Sequence, residues 1–258
     1  MEGNLTPLPS RVGKGATPLP VAEERTGEGS SPDKAQRVSR MFADIARRYD
    51  FMNRLMTFGR DRVWRRLAVA ELACRLGDVV LDVGTGTADF LPLLVGCGCR
   101  AVGVDFSLAM MLAGRDKLSA NDNLTALVAG DALHLPFADD SFAGLINGFL
   151  LRNVTDLPAA LAEMHRVVKP GGRIVCLELT WPTLPLFRQA FALYFSHLVP
   201  FIGGLVSGQR DAYAYLPRSV AAFVNVSELM ALMKQAGLQD VHYRRLALGT
   251  VALHVGLK

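Results

Sequence analysis

The chain has 258 residues, half of them apolar, and a formal net charge of only +4. A chain of this length can bury one large hydrophobic core. The sequence has no apolar run approaching the roughly 18 residues that a membrane span requires, and no N-terminal apolar stretch typical of a secretion signal. We therefore expect a globular, cytoplasmic protein with one catalytic domain.

The four cysteines indicate neither a zinc site nor a disulfide framework. Cys74, Cys97, Cys99 and Cys176 include no C-x-x-C pair and have no histidine nearby. We expect reduced thiols and no metal ion.

Residues 1–32 are rich in Pro, Gly, Ser and Glu and contain the tetrapeptide TPLP twice. Such a segment cannot bury enough apolar surface to offset the entropy lost on ordering. We interpret it as a disordered tail that precedes a single domain, residues 33–258. Organelle targeting is a weaker interpretation, because the four glutamates of this segment are unusual in a transit peptide.

A helical pattern of apolar residues covers residues 33–73. From Arg37 to Arg66 this segment carries nine arginines against three aspartates, an excess of six positive charges. One interpretation is a solvated helix face. The other is attraction to an anionic membrane, to which each basic side chain near the surface contributes about 1 kcal/mol. Nucleic acid is less favoured, since nothing else in the chain is typical of a nucleic-acid-binding module.

The stretch VVLDVGTGTADF, Val79 to Phe90, is an apolar run that ends in Asp82 and breaks into a loop with Gly84 and Gly86. This pattern predicts a buried parallel strand followed by a tight turn into a helix. Glycine permits backbone angles that a β-carbon forbids, and it lets a ligand lie against bare peptide. The alternative is a strand-to-helix turn that binds nothing.

Two more acids follow the next apolar runs. Asp105 closes AVGVD, where a nucleotide-binding domain presents a carboxylate to ribose hydroxyls, and Asp131 could accept a hydrogen bond from an adenine amine. These acids predict an adenosine ligand. Asp89 stands where the phosphates of a dinucleotide would arrive, and an acid there suits the cationic S-adenosylmethionine better.

Further elements follow in order. We predict a helix over 107–118, a third strand over 123–130 and a fourth over Phe142–Asn147. The next segments are a helix over Leu157–Val168, a KPGG turn and a strand over Arg173–Leu179. The chain closes with a helix over Val226–Ala236 and two β-like runs, 241–246 and 250–257.

Residues 183–220 form an apolar insertion. Its stretch from Thr183 to Gly208 is rich in leucine and phenylalanine and is interrupted by Arg188, His197 and Pro200, so we do not expect it to span a membrane. One interpretation is a helix whose apolar face packs in the core. The other is a cap that binds an apolar tail or lies on a lipid surface.

Three blocks resemble the ubiquinone/menaquinone biosynthesis C-methyltransferase family. FADIARRYDFMNRLMTFGRDRVWRR, residues 42–66, has the family's Tyr-Asp-x-Met-Asn pattern, then glycine and tryptophan. GFLLRNVTD, residues 148–156, and RVVKPGGRIVCLELT, residues 166–180, are similar to two further signatures. The chain departs from the family at four positions, namely Thr57, Gly148, Leu150 and Thr180.

The resemblance implies an α/β fold of the Rossmann-like class I methyltransferase type. Its seven-stranded sheet is mostly parallel with an antiparallel last strand, and helices cover both faces. It also implies methyl transfer from S-adenosylmethionine to a ring carbon of a prenylated quinol. The family's donor-binding pattern falls on Thr87, Asp105, Asp131 and Ala132, beside Gly84 and Gly86, while Asp82 either holds the loop or meets the donor's ammonium.

For the acceptor, we expect Tyr49, Asp50 and Asn53 to close over the donor's methionine end or over the ring, and Asn153 to contact the substrate. A plain packing role is the alternative for Tyr49. A ring carbon becomes nucleophilic when a quinol hydroxyl loses its proton, so we expect a group that stabilises phenolate or relays that proton. Arg152 is the first candidate, and pairing with Asp156 is its structural alternative. His197 is a second candidate base, the alternative being a polar surface position.

A prenyl tail predicts peripheral attachment to the inner face of an anionic membrane. Benzoquinol and naphthoquinol acceptors stay open, as do a homodimer and a complex with other quinone-biosynthesis enzymes. A different hypothesis is a catalytically weak scaffold that binds donor or quinone lipid and transfers nothing. A third, a nicotinamide-dependent oxidoreductase, is disfavoured by Asp89.

Overall fold

The computed structural model describes residues 31–118 and 125–258. Residues 1–30 of the expected tail lie outside the described residues, and the first helix begins at Ser31, so it includes the last two residues of that expected tail. Helix α1 covers Ser31–Thr57 and helix α2 covers Asp61–Leu72. The turn between them includes Phe58 and Gly59, both with positive φ angles.

A seven-stranded sheet forms the centre of the described chain. Its strand order is β3-β2-β1-β4-β5-β7-β6, with all pairs parallel except those that β7 makes with β5 and β6. This arrangement confirms the predicted sheet and its antiparallel last strand. The strands are β1 Val79–Val83, β2 Arg100–Asp105, β3 Thr125–Ala129, β4 Phe142–Gly148, β5 Val168–Leu179, β6 Gln239–Leu246 and β7 Val251–Leu257.

Helices cover both faces of the sheet, as predicted. One buried cluster joins the sheet to α2 and to α3, Leu91–Gly96. A second cluster joins the other face to α5, Leu157–Val167, and α9, Val226–Gln235. Val80 and Leu81, neighbours on β1, are fully buried in opposite clusters. This is why β1 is a continuous apolar run instead of an alternating one.

Two predicted boundaries differ from the structure. Strand β5 begins at Val168, because Val168 pairs with Phe142 and the next pair, Arg173 with Gly144, follows after a register shift. The KPGG segment is therefore an irregularity within β5 and not a turn before it. The helix predicted over 107–118 is the short α4, Leu108–Gly114, followed by one 3-10 turn.

The apolar insertion forms a helical cap. It comprises α6, Pro185–Leu193, a π-helical turn, Tyr194–Leu198, then α7, Val199–Ser207, and α8, Arg210–Ala222. The cap and α1 share a third buried cluster, separate from the two on the sheet. Its buried members are Ile45, Met52, Phe195, Val199, Tyr213 and Val220.

The cap includes one helical stretch, Pro185–Val206, that is long and apolar enough to cross a membrane by length and composition. The sequence expectation of no apolar run of that length is therefore wrong for this stretch. Length and composition alone are weak grounds for a span. Phe195 and Val199 of this stretch are buried in the cluster shared with α1, so part of its surface is already occupied by protein.

Candidate active site

Two cavities lie at the carboxyl ends of the parallel strands, where open α/β sheets bind ligands. The smaller cavity has a volume of about 380 Å³ and the larger about 830 Å³. Phe42, Tyr49 and Phe149 line both of them. The two cavities therefore adjoin each other at these three side chains.

The glycine loop after β1 forms one wall of the smaller cavity. Gly84 and Gly86 both line it, with φ angles of +69° and +54°. The backbone N–H groups of Gly84 and Thr85 donate to the carbonyl of Val104 at 2.8 and 3.0 Å, which ties the loop to β2. The loop thus presents bare peptide in a fixed position, as the sequence predicts.

Two of the departures from the family pattern lie against this wall. Leu150 packs over the loop, and a β-carbon placed on Gly84 would lie 2.7 Å from its side chain. A β-carbon on Gly148 would lie 2.7 Å from the ring of Phe90. Glycine at both positions is therefore required by the side chains that surround them.

Asp105 lies at the end of β2 and lines the smaller cavity. Its carboxylate accepts hydrogen bonds from the backbone N–H groups of Gly86, at 2.8 Å, and Ser107, at 2.7 Å. Burial raises the pKa of Asp105, and the hydrogen bonds from these N–H groups oppose that shift only in part, so the pKa is above its ordinary value. The two bonds fix the direction of the carboxylate beside the glycine loop.

Asp131 and Ala132 line the same cavity. The carboxylate of Asp131 accepts a hydrogen bond from the backbone N–H of Leu133 at 2.9 Å. The backbone of Asp131 forms an isolated antiparallel β-bridge with that of His134. Asp131 comes two residues after the carboxyl end of β3, and Asp105 is the last residue of β2. The structure therefore brings together Gly84, Gly86, Asp105, Asp131 and Ala132 around one cavity.

Asp82 and Thr87, two further predicted donor contacts, do not line the cavity. Asp82 is fully buried and accepts a hydrogen bond from the hydroxyl of Thr85 at 2.6 Å. Its Oδ1 atom has no hydrogen-bond partner within the described part of the chain, and burial raises its pKa to about 7. Thr87 is also buried, and its hydroxyl donates to Asp50 at 2.6 Å. Both side chains therefore stabilise the loop from its buried side, away from the cavity.

Asp50 and Asp89 belong to a chain of ion pairs outside both cavities. Lys117 lies 2.5 Å from each of these acids, and Asp89 lies 3.3 Å from Arg65. Burial raises the pKa of Asp89, but the charges of Arg65 and Lys117 outweigh it, and the net shift is downward. The structure therefore does not bring Asp89 to either cavity, because its carboxylate pairs with these two cations. Asp50 likewise contacts Thr87 and Lys117.

Tyr49, Asn53 and Asn153 do reach the cavities. Tyr49 lines both, Asn53 lines the larger and Asn153 the smaller. Burial raises the pKa of Tyr49, while its hydrogen bond with Asn53 and the charge of Arg152 lower it. The net effect keeps the phenol protonated, so Tyr49 can donate a hydrogen bond at the boundary of the two cavities.

Arg152 lines the larger cavity and forms a buried ion pair with Glu178 on β5. The guanidinium also donates to the carbonyl of Phe149 at 2.8 Å. Glu178 accepts in addition from the backbone N–H groups of Leu179, at 3.0 Å, and Arg152, at 3.3 Å. The alternative partner, Asp156, instead caps α5 by accepting from Ala159 at 3.0 Å.

Two residues of this site were missed in the sequence. Glu178 was predictable as unusual, because an acid inside a buried apolar strand needs a partner. Tyr215 of the cap carried no signal in a segment rich in aromatic residues. Its hydroxyl donates to the side-chain oxygen of Asn153 at 3.2 Å, which links the cap to the segment after β4.

His197 lies apart from these residues. It is exposed in the π-helical turn and lines a surface depression with Leu193 and Phe201. Its neighbours Tyr194 and Phe195 line the larger cavity instead. The structure therefore does not bring His197 to the candidate site, since its side chain is on the outer surface of the cap.

The described residues include no cluster of three or more His, Cys, Asp or Glu side chains that could hold a metal ion.

Comparisons with known proteins agree with this geometry. The model of the ubiE/COQ5 methyltransferase family matches residues 31–258. The demethylmenaquinone methyltransferase of Roseiflexus castenholzii is 46% identical over 230 residues, which cover 88% of this chain and 96% of that protein. The protein of the same name from Staphylococcus aureus is 40% identical over 226 residues, covering 86% of this chain and 93% of that protein.

A solved structure extends the likeness to the fold. Phosphoethanolamine N-methyltransferase 2 of Haemonchus contortus, in complex with S-adenosyl-L-methionine, aligns with a TM-score of 0.55 at 14% identity. The alignment covers 75% of this chain and 52% of that one. At this identity the likeness concerns the fold alone, which is that of a class I methyltransferase.

Proposed function

The chain belongs to the ubiE/COQ5 methyltransferase family, and on that premise we propose that it transfers the methyl group of S-adenosylmethionine to a ring carbon of demethylmenaquinol. The choice of a naphthoquinol over a benzoquinol is supported by the names of the relatives from Roseiflexus castenholzii and Staphylococcus aureus. The observation that carries the proposal is the pair of cavities, one polar at its glycine loop and one largely apolar, that share Tyr49 and Phe149 as walls.

We assign the smaller cavity to the methyl donor. Asp105 would accept from the ribose hydroxyls and Asp131 from the adenine amine, while Gly84 and Gly86 allow the donor to lie against the backbone. The fit is supported by the fixed carboxylate of Asp105 and by the positions of Gly84, Gly86 and Asp131 around the same cavity. Each charge-assisted hydrogen bond contributes about 1.5–3 kcal/mol.

The sulfonium of the donor supplies an electrophilic methyl carbon, so the chain has to align the acceptor, exclude water and assist proton removal. In the reaction the ring carbon forms a bond to the methyl carbon as the sulfur–methyl bond breaks, and the ring proton is then lost. Arg152 is suited to stabilise the phenolate form of the quinol, because its guanidinium lies at the larger cavity with Glu178 behind it. A water held by Arg152 would accept the proton of the quinol hydroxyl and pass it to solvent.

The larger cavity would hold the ring and the first part of the prenyl tail. Its walls are mostly apolar and aromatic, including Phe187, Phe191 and Phe195 of the cap. Each methylene buried there contributes about 0.8 kcal/mol. A long tail nevertheless lies mainly in lipid, so we expect the enzyme to associate peripherally with the inner face of an anionic membrane.

The proposal is tested with the purified full-length chain, methyl-labelled S-adenosylmethionine and two reduced acceptors, demethylmenaquinol and a demethylated benzoquinol. We expect one labelled methyl group on the naphthoquinol ring, identified by mass spectrometry, and slower transfer to the benzoquinol. Transfer to the benzoquinol alone would contradict the assigned acceptor. Binding of the donor with no transfer to either acceptor would instead support the scaffold hypothesis.

A further inference from the structure

Three surface segments beside the larger cavity carry exposed apolar side chains. Phe58 lies in the turn between α1 and α2, Leu248 in the turn between β6 and β7, and Leu184 and Leu186 at the start of α6. Their exposed fractions are 84%, 67%, 58% and 81%. Phe58 and Leu248 also line the cavity, so they mark its mouth. We call these four side chains the rim.

The three segments of the rim are held together by hydrogen bonds. Arg245 at the end of β6 donates to the carbonyl of Trp181, just before α6, at 3.2 Å. The hydroxyl of Tyr194 on the cap donates to the carbonyl of Met56, just before Phe58, at 2.8 Å. The rim is therefore built from ordered contacts between the cap, α1 and the sheet.

The backbone at two rim positions is unusual for the side chains it carries. Phe58 has a φ angle of +52° and Leu248 one of +56°. This left-handed region costs free energy for any residue with a β-carbon and is normally occupied by Gly, Asn or Asp. In water, a bulky apolar side chain at such a tip gains nothing that would offset this cost. In contact with an apolar phase, the same side chain would gain hydrophobic free energy that offsets the cost.

The charges around the rim are positive. The exposed arginines that lie close in sequence to Phe58, Leu184 and Leu186 are Arg54, Arg60, Arg62, Arg66 and Arg188. Between residues 51 and 66 the one acid is Asp61, which is buried and accepts a hydrogen bond from Thr57. The cap has no acid from Thr183 to Gln209. Apolar tips flanked by arginines complement a surface that is apolar inside and anionic at its headgroups.

We propose that the rim docks onto an anionic lipid bilayer and places the mouth of the larger cavity against the acyl chains. This inference rests on the proposed function, which gives the cavity a prenylated acceptor. With the rim docked, the tail passes from the bilayer into the cavity without crossing water. A second copy of this chain is the competing occupant of the same surface.

The test compares two matched variants. Leu186→Glu places an acid on the rim in the first turn of α6, a position that favours acids and leaves the fold intact. Leu76→Glu makes the same change at a side chain that is 87% exposed. Leu76 precedes the amino end of β1, whereas both cavities lie at the carboxyl ends of the parallel strands. Both lower the net charge by one. Vesicles of phosphatidylcholine with roughly one-third phosphatidylglycerol are the probe, in a flotation assay.

We expect wild type and Leu76→Glu to bind these vesicles equally and Leu186→Glu to bind at least tenfold more weakly. Methyl transfer to a tailless demethylated naphthoquinol should be the same in all three proteins within about twofold. Transfer to a long-tailed quinol embedded in the vesicles should fall at least tenfold in Leu186→Glu alone.

Three results would overturn the proposal. If the wild type fails to bind the vesicles, the bilayer is not the partner of this surface. If Leu186→Glu binds the vesicles like wild type, the rim is not the surface that docks. A wild-type dimer in sedimentation that Leu186→Glu dissociates, without vesicle binding, assigns the surface to a second copy. Vesicle binding needs no turnover, so failure of the proposed function, seen as no transfer even to the tailless acceptor, is distinguishable from failure of the docking.

Discussion

At the scale of single residues, the site depends on carboxylates that backbone N–H groups or cations hold in fixed directions. Asp105 is fixed by Gly86 and Ser107, and Glu178 by the backbone of Arg152 and Leu179. A carboxylate held in this way needs no reorganisation when a ligand arrives. Two predictions follow from these two acids, because one faces the smaller cavity and the other acts through Arg152.

Replacement of Asp105 by alanine should weaken binding of S-adenosylmethionine by about 100-fold or more. The reason is the loss of its charge-assisted hydrogen bonds to the ribose, each of about 1.5–3 kcal/mol. Isothermal titration calorimetry measures the change. Asp116→Ala, the same substitution at an exposed acid after α4, should bind the donor like wild type. Equal affinity in Asp105→Ala and wild type would remove Asp105 from the donor site.

Replacement of Glu178 by glutamine should slow methyl transfer at least tenfold without changing the affinity for the donor. Arg152 would lose the anion that orients its guanidinium. Raising the pH should restore part of the rate, because the quinol then ionises without help from Arg152. A packing defect alone would not give this pH dependence.

Removing one partner of a buried ion pair also destabilises a protein, by about 3 kcal/mol, so thermal melting has to accompany the kinetics of Glu178→Gln. Glu178→Asp, which keeps the charge, serves if the glutamine variant does not fold. Glu71→Gln removes a more exposed partner of Arg244 and should leave both rate and stability unchanged. A rate in Glu178→Gln equal to wild type at every pH would contradict the positioning role.

At the scale of elements, α1 is attached to the sheet through Lys117 as well as through apolar packing. Lys117 pairs with Asp50 of α1 and with Asp89 in the loop after β1. Phe42 and Tyr49 on the same helix form walls of both cavities. The ion pairs therefore fix the helix that separates donor from acceptor.

Lys117→Met should destabilise the protein by about 1–3 kcal/mol, because it leaves Asp50 and Asp89 close together with one cation fewer. Hydrogen exchange should accelerate in α1 more than in the strands. Lys169→Met, at an exposed position of β5, is the control. Unchanged exchange in α1 would show that packing alone holds this helix.

A second element-scale prediction concerns His254 of β7, which is buried and hydrogen-bonded to the carbonyl of Val226 at the start of α9, at 2.9 Å. Burial lowers its pKa to about 4. Between pH 6.5 and about 4 the unfolded chain therefore binds more protons at this histidine than the folded chain does. Its contribution to stability is complete above pH 6.5 and declines as the pH falls.

The variant His254→Gln lacks this titration. Its free energy of unfolding relative to wild type should rise by about 2–4 kcal/mol as the pH falls from 7 to 4, a span set by the size of the pKa shift. Denaturant titrations at several pH values measure this difference. His242→Gln, at an exposed histidine of β6, should follow wild type. A constant difference between His254→Gln and wild type would contradict the assigned cause.

At the scale of the whole molecule, the sheet and its ligand edge were predictable because local signals agree there. Apolar runs that end in Asp82, Asp105 and the loop of Asp131 indicate successive strands and the side of the sheet at which ligands bind. The seven-stranded sheet with its antiparallel last strand was implied by the family resemblance. The directions of Thr87, Asp50 and Asp89 were not predictable, since Asp50 is distant in sequence from Thr87 and Lys117 is distant from both acids. The outward direction of His197 likewise depends on a π-helical turn with no sequence signal.

A structure of the full chain with S-adenosylhomocysteine and a short-tailed demethylmenaquinol tests the central claim most directly, namely that two adjoining cavities hold donor and acceptor. The account predicts the adenosyl group against Gly84 and Asp105 in the smaller cavity and the quinol ring in the larger cavity beside Arg152. The donor sulfur and the reacting ring carbon should face each other directly where the two cavities meet, beside Tyr49 and Phe149. A ring bound outside the larger cavity, or a donor bound away from Asp105, would contradict it.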